Sequence, residues 1–173
     1  MLLYLIYISV FLILLSVAWA SFSLAPWVPT RKKDLERIKR LANLEPGEIF
    51  YDLGSGDGRV AIYLSKHTKG KVVGLELAIP FYLICKIRGF TSKNRNLSFK
   101  YKNLYKEDLR TADVIYIFAE SEERLASKLE QKLNNELKPG ARAITYAFPI
   151  KGWQPIIVDK PGEDDISIYL YKK

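Results

Sequence analysis

Tyr51-Asp-Leu-Gly-Ser-Gly-Asp-Gly-Arg59 decides how this chain is read. An apolar run, Ile49 to Leu53, leads into it, and glycines stand at every second position, at Gly54, Gly56 and Gly58. A helix-competent run, Arg59 to Lys66, follows. The pattern is a strand, a tight turn and a helix start. Glycine takes φ > 0 without a Cβ penalty and lets backbone pass close to a ligand. A helix start offers free N–H groups to a carboxylate or phosphate. A second apolar run, Val72 to Leu75, ends at Glu76, twenty residues past Gly56. A carboxylate at that place commonly holds ribose hydroxyls. These features point to a nucleoside-containing ligand on the carboxyl edge of a parallel sheet.

The spacing excludes two common nucleotide loops. A dinucleotide fingerprint counted from Gly56 needs its third glycine at position 59, where Arg59 stands. A Walker-type loop needs Gly-Lys-Ser/Thr, which is absent. Outward from the motif, strands alternate with helices. Strands are expected at Leu97–Tyr101, Val114–Phe118 and Arg142–Phe148. A helix carrying Phe81, Ile84, Cys85 and Phe90 follows Pro80. The periodicity of Leu125, Leu129, Leu133 and Leu137 predicts a helix over Glu120–Leu137, stopped by Lys138-Pro139-Gly140. Pro155–Asp159 and Ile166–Tyr171 read as a closing hairpin around Pro161-Gly162. The sum is an α/β sheet with an antiparallel edge. Thr30 is the expected N-cap of a helix running to Ala42, with Leu35, Ile38 and Leu41 at helical spacing.

The amino-terminal segment reads differently. Met1–Ala20 has no charged residue, and twelve of its twenty are Leu, Ile, Val or Phe. About 20 residues span a hydrocarbon core of about 30 Å, and twelve such residues favour insertion by roughly 4–7 kcal/mol. Tyr4, Tyr7, Trp19 and Trp27 supply interfacial aromatics. Ala18-Trp19-Ala20 resembles a signal-peptidase site, but no basic n-region precedes it. The positive charges, Arg31 to Arg40, follow the segment instead. The expected organisation is therefore a transmembrane anchor at residues 1–20, a linker and N-terminal helix at 21–42, and the main domain at 43–173. The protein would be a single-pass membrane protein with its catalytic domain on the cytoplasmic side.

At 173 residues, 49% hydrophobic and 27% charged, the chain suits one domain plus an appendage. A net charge of +8 suits an anionic membrane surface or an acidic partner. Cys85, the single cysteine, permits no internal disulfide and reads as core. His67, beside Lys66 at a helix end, reads as solvated. No metal site is expected. With no appended RNA module, the basic residues read as a solvated face and nucleic acid is not the expected partner.

At the glycine motif the chain resembles the class I S-adenosylmethionine-dependent methyltransferases, whose first motif has the form acidic-x-G-x-G-x-G. The resemblance implies a Rossmann-like seven-stranded methyltransferase sheet, mostly parallel with an antiparallel C-terminal edge, and S-adenosyl-L-methionine as cofactor. It implies that Asp52 orients the cofactor's amino group and that Gly54, Ser55, Gly56 and Gly58 face its methionine portion. Glu76 would hold the ribose, and Leu77 would pack on the adenine. Asn103 would stand against the adenine edge, unless it is a simple turn residue. Leu24-Ala-Pro-Trp-Val-Pro-Thr30, the glycine motif, and Leu137-Lys-Pro-Gly140 through Lys151-Gly-Trp153 occur in one subgroup in the same order. Over roughly residues 24–173 the chain resembles the protein-lysine methyltransferases that include the mitochondrial ATP synthase c-subunit lysine methyltransferase and archaeal broad-specificity relatives.

No Asp/Asn-Pro-Pro-aromatic motif follows the fourth strand, where Ile117-Phe118-Ala119-Glu120 stands, which disfavours amide or base nitrogens as acceptors. A single cysteine disfavours covalent cytosine-C5 chemistry. Lysine fits better. Its pKa of about 10.4 makes deprotonation at pH 7 cost about 4.6 kcal/mol, and a dry aromatic channel lowers that pKa. Phe118, Tyr146 and Trp153 are the expected channel walls, along with Phe148. Thr30 closes the cofactor side, Tyr146 orients the amine and Glu120 captures substrate. No general base is demanded, because positioning can suffice. The expected acceptor is a lysine of a membrane-associated protein. A lipid head group or small amine is the alternative acceptor, and a non-catalytic cofactor-binding module the alternative role.

Overall fold

Strands β1 (Ile49–Leu53), β2 (Lys71–Glu76) and β4 (Val114–Phe118) are buried along nearly their whole lengths. That burial requires cover on both faces and explains their near-continuous apolar sequences. The protein is described by a computed structural model covering residues 1–21, 28–118 and 128–173, without the side chains of residues 13 and 16–21. The remaining strands are β3 (Leu97–Tyr101), β5 (Arg142–Tyr146), β6 (Ile157–Asp159) and β7 (Ile168–Lys172). They form one seven-stranded sheet in the order β3-β2-β1-β4-β5-β7-β6. β1 to β5 are mutually parallel, and β7 runs antiparallel to both β5 and β6. The reversed strand therefore lies one place in from the edge.

The fifth strand stops two residues earlier than expected. Ala147 adopts φ 74°, a left-handed conformation that ends the strand, and its N–H donates to Ser167 O.

Helices α2 (Leu35–Ala42), α3 (Arg59–His67) and α4 (Ile79–Ser92) supply buried residues to one apolar cluster with Phe50, Val72, Val114, Tyr116, Ile144 and Tyr146. The opposite face packs Tyr51, Leu53, Val73, Leu75, Ile115 and Ile117 against Leu129, Leu133 and Leu137 around helix α5 (Glu130–Glu136). Beside Val73 and Leu75 of β2, that cluster also takes in loop residues Leu104, Leu109 and Ala112, from a crossover whose described regular structure is one 3-10 turn, Leu104–Lys106. The first half of the expected Glu120–Leu137 helix, the Leu24–Thr30 motif up to Trp27, and Glu120 lie outside the described residues.

Two expectations need correction. Thr30 caps no helix: a 3-10 turn (Lys32–Asp34) precedes α2, its N-cap is Arg31, and the Thr30 hydroxyl is engaged elsewhere. The transmembrane anchor is also overturned. The segment is helical, as α1 (Leu2–Ser21), but among the described residues no helix is long and apolar enough to cross a membrane.

Candidate active site

Strand order reverses between β1 and β4. In an open α/β sheet, the crevice at the carboxyl ends of such a pair is where ligands bind. β1 ends in Asp52 and Leu53 and turns at once through Gly54, Gly56 and Gly58, with φ of 85°, 54° and 76°. Gly54 N and Ser55 N both donate to Leu75 O, which lashes the turn to the end of β2. At Gly58 a side chain is excluded twice. Its φ is left-handed, and a Cβ would stand 2.8 Å from Phe99 Cζ and 3.0 Å from Cys85 Sγ. Cys85 is fully buried, donates to Gly56 O at 3.0 Å, and supports the turn from beneath. The Ser55 hydroxyl is buried, 3.4 Å from Leu75 O and 3.9 Å from the Cys85 thiol.

Glu76 links the turn to the start of α4. Its Oε2 accepts from Gly56 N at 2.7 Å, and its Oε1 accepts from Leu77 N at 2.8 Å and Ala78 N at 2.7 Å. A carboxylate offers about four acceptor positions. Three are used, and one remains on Oε2 for a hydroxyl. Burial raises the Glu76 pKa, and those three amides partly offset the rise.

Asp52 is the more perturbed acid. It is buried, and its Oδ2 accepts only a long bond, 3.3 Å, from Ala61 N. Burial first, and then the charges of Glu76 and Asp57, push its pKa up to about 7. The third carboxylate is neutralised. Arg59 grips Asp57 with both Nε and Nη2, and Arg88 Nη1 lies 2.7 Å from Asp57 Oδ2. These contacts correct one expectation. The first amides of α3 are spent on the protein's own carboxylates, Arg59 N on Asp57 and Ala61 N on Asp52, and are not open to a ligand phosphate. The site therefore disfavours an anion and favours a cation with hydroxyls. S-Adenosyl-L-methionine, with its sulfonium, ammonium and ribose, fits these residues. When bound it supplies an electrophilic methyl group.

Thr30 arrives at the same crevice from the amino-terminal side. Its Oγ1 lies 2.7 Å from the Tyr116 hydroxyl, both buried, and its carbonyl accepts from Arg59 Nη1 at 3.0 Å. Tyr116 stands beside Asp52 in the β1–β4 register. Its phenol is pushed well up by burial, with Asp52 adding to the effect. Phe118 and Tyr146 are register partners at the ends of β4 and β5, and their rings meet edge-on at 4.7 Å. The Tyr146 hydroxyl donates to Asp34 Oδ2 at 2.6 Å.

Trp153 is not brought to this pair. It packs on the other face of the sheet, edge-on to Tyr171, with Lys173 Nζ 5.3 Å above its ring. Phe148 joins that face too. Leu77 is half-buried beside Glu76. Asn103 follows β3, and its Oδ1 accepts from Tyr105 N at 2.9 Å to cap the 3-10 turn.

Four residues were not legible as site residues: Tyr116, Asp34, Arg59 and Arg88. Arg59 carried a signal, since it ends the glycine motif beside Asp57. The others are joined to the site only by register or by side-chain reach.

The sheet order, the acidic-x-G-x-G-x-G turn and the anchored carboxylate after β2 define an S-adenosylmethionine-dependent methyltransferase. Residues 52–157 match the ANTKMT methyltransferase domain, and the chain belongs to that family. It is 34% identical to a protein-lysine N-methyltransferase of Saccharolobus islandicus over 84% of this chain and 92% of that protein. It is 31% identical to the human ATP synthase c-subunit lysine N-methyltransferase over 83% of this chain, spanning 60% of that relative. The mouse adenine nucleotide translocase lysine N-methyltransferase is 28% identical over 83% of this chain and 62% of its own length. An RNA methyltransferase from Salinibacter ruber, solved with S-adenosyl-L-homocysteine, superposes with a TM-score of 0.78 at 24% identity, covering 84% of this chain and 93% of that one. That likeness concerns the fold.

Proposed function

We propose that this methyltransferase acts on lysine side chains of a protein, and that its natural acceptor is membrane-associated. The observation that carries the reading is the 34% identity to a protein-lysine N-methyltransferase across 92% of that relative. Relatives named for lysine methylation of adenine nucleotide translocase and of the ATP synthase c-subunit support it.

The site's chemistry agrees. A lysine must lose its proton before its lone pair can take a methyl group, at a cost of about 4.6 kcal/mol at pH 7. An apolar wall penalises the ammonium and reduces that cost. The Phe118–Tyr146 pair at the ends of β4 and β5 supplies such a wall. Asp52 and Glu76, by contrast, are committed to the cofactor side, and a carboxylate beside the lysine would hold its proton in place.

Incubating the purified chain and labelled S-adenosyl-L-methionine with separated membrane and soluble extracts tests the proposal. Mass spectrometry should find new methyllysine in a membrane-fraction protein, and none with a Glu76→Gln variant. Label recovered only in extracted lipid would replace the lysine reading with head-group methylation.

A further inference from the structure

Helix α4 fully buries only Cys85, half-buries Phe81 and Tyr82, and leaves several large apolar side chains exposed. Ile79, Leu83, Ile87 and Phe90 fall at i, i+4, i+8 and i+11, one stripe along the helix. They are 44%, 53%, 66% and 87% exposed, increasing toward the carboxyl end. A solvent-facing stripe of four large apolar residues on one helix marks a docking surface.

The charge around it is one-sided. From Leu77 to Lys106 the chain has seven Lys or Arg residues and no Asp or Glu. Arg88 is held by Asp57, and Lys100 and Lys102 by Glu107. Lys86, Lys93, Arg95 and Lys106 are exposed. The apolar helix α1 comes close to α4.

We infer that α4 is an interfacial membrane-binding helix, which lays its Leu83–Ile87–Phe90 stripe into the headgroup boundary of a bilayer carrying anionic lipid. An apolar face flanked by cations is the pattern that lies in the plane of such an interface without crossing it. A second copy of the chain is a poor occupant, because two cationic flanks would face each other. The consequence is positional. α4 begins three residues after Glu76, and Arg88 holds the glycine turn through Asp57, so this docking ties the helix that supports the cofactor turn to the bilayer surface. The inference does not depend on which nucleophile accepts the methyl group.

The test uses a local reporter in the full chain. Cys85 is fully buried and its thiol is pushed up to about 12, so a thiol-reactive, polarity-sensitive dye will label an introduced Phe90→Cys selectively. With phosphatidylcholine vesicles containing phosphatidylglycerol, the dye at position 90 should shift to the blue. It should show no shift on pure phosphatidylcholine and a weaker one at high salt. A dye at Glu163→Cys, in the β6–β7 hairpin beyond the far edge of the sheet, should not respond.

Adding Lys86→Glu, Lys93→Glu and Arg95→Glu should weaken the position-90 response roughly a hundredfold or more, at about a fivefold loss for each positive charge removed. Titration with S-adenosyl-L-methionine should stay unchanged in these variants. Vesicle pelleting without a shift at position 90 would assign binding to α1 and overturn the inference. An equal shift on neutral vesicles would overturn it, as would a shift produced by double-stranded RNA but not by vesicles.

Discussion

Asp52 is a carboxyl group placed where its charge is costly until a cation arrives. Its folded pKa, about 7, lies above the ordinary carboxylate value of 3.8. Between those values the folded chain holds a proton that the unfolded chain has lost, so rising pH erodes stability across that window. Asp52→Asn should remove this contribution, which urea melts at pH 5 and pH 7.5 can compare. A cationic cofactor favours the ionised form, so binding near pH 6 should release a proton. If the ionised form alone binds well, affinity at pH 6 should be about tenfold weaker than at pH 8. Calorimetry in two buffers of different ionisation enthalpy reads the proton directly, and Asp52→Asn should flatten both dependences. Glu76 is raised in the same direction, so proton release that persists undiminished in Asp52→Asn would transfer the role to Glu76. Gly58 makes a separate demand. Gly58→Ala puts a Cβ at a left-handed φ of 76° and 2.8 Å from Phe99 Cζ. A stability loss of about 2–4 kcal/mol in chemical denaturation is expected from backbone strain and overpacking together.

The glycine turn, β1 and Glu76 were readable because their information is local: an apolar run, glycines at alternate positions, and a carboxylate at a fixed distance along the chain. The neighbours of that turn were not. Asp52 meets Tyr116 only because β1 and β4 pair in one particular parallel register, and Tyr116 meets Thr30 across 86 positions of sequence. A single sequence shows β4 as an apolar run and does not reveal which residue of it faces Asp52. The same limit placed Trp153 beside Phe118 and Tyr146, although the return from β5 carries it to the other face. Met1–Ala20 was read from composition, which is silent on α1 lying close to α4. The Thr30–Tyr116 contact fastens the segment before α2 to the crevice. Tyr116→Phe leaves the Thr30 hydroxyl buried without its partner and should cost about 1–3 kcal/mol. Adding Thr30→Val should recover part of that loss, since removing both partners is less costly than stranding one. Strictly additive losses in a double-mutant cycle would deny the contact any energetic role.

A chain of buried polar groups joins the two ends of the molecule. Tyr146 on β5 donates to Asp34, and Arg37 Nη1 donates to the other oxygen of Asp34 at 2.7 Å. Arg37 then reaches Asp159 Oδ1 through Nε at 2.6 Å, and the carbonyls of Asp159 and Ile166 through Nη2. Arg40 pairs with the same Asp159. One guanidinium therefore connects the helix before the first strand to the last hairpin and, through Asp34, to the β5 end that carries the aromatic pair. The arrangement serves position more than net stability, because desolvating two charges consumes most of what their attraction returns. Breaking it from one side is another matter. Arg37→Met would strand Asp34, which is 1% exposed, and should cost roughly 3–5 kcal/mol. Arg37→Met with Asp34→Asn removes both charges and should regain a substantial part of that loss. If positioning is the main role, the double variant will bind cofactor normally yet turn over more slowly, because Tyr146 has lost its charged anchor. A single variant as stable as the parent would show instead that Asp34 is held by Tyr146 alone, and the link between the amino-terminal helix and the closing hairpin would carry no weight.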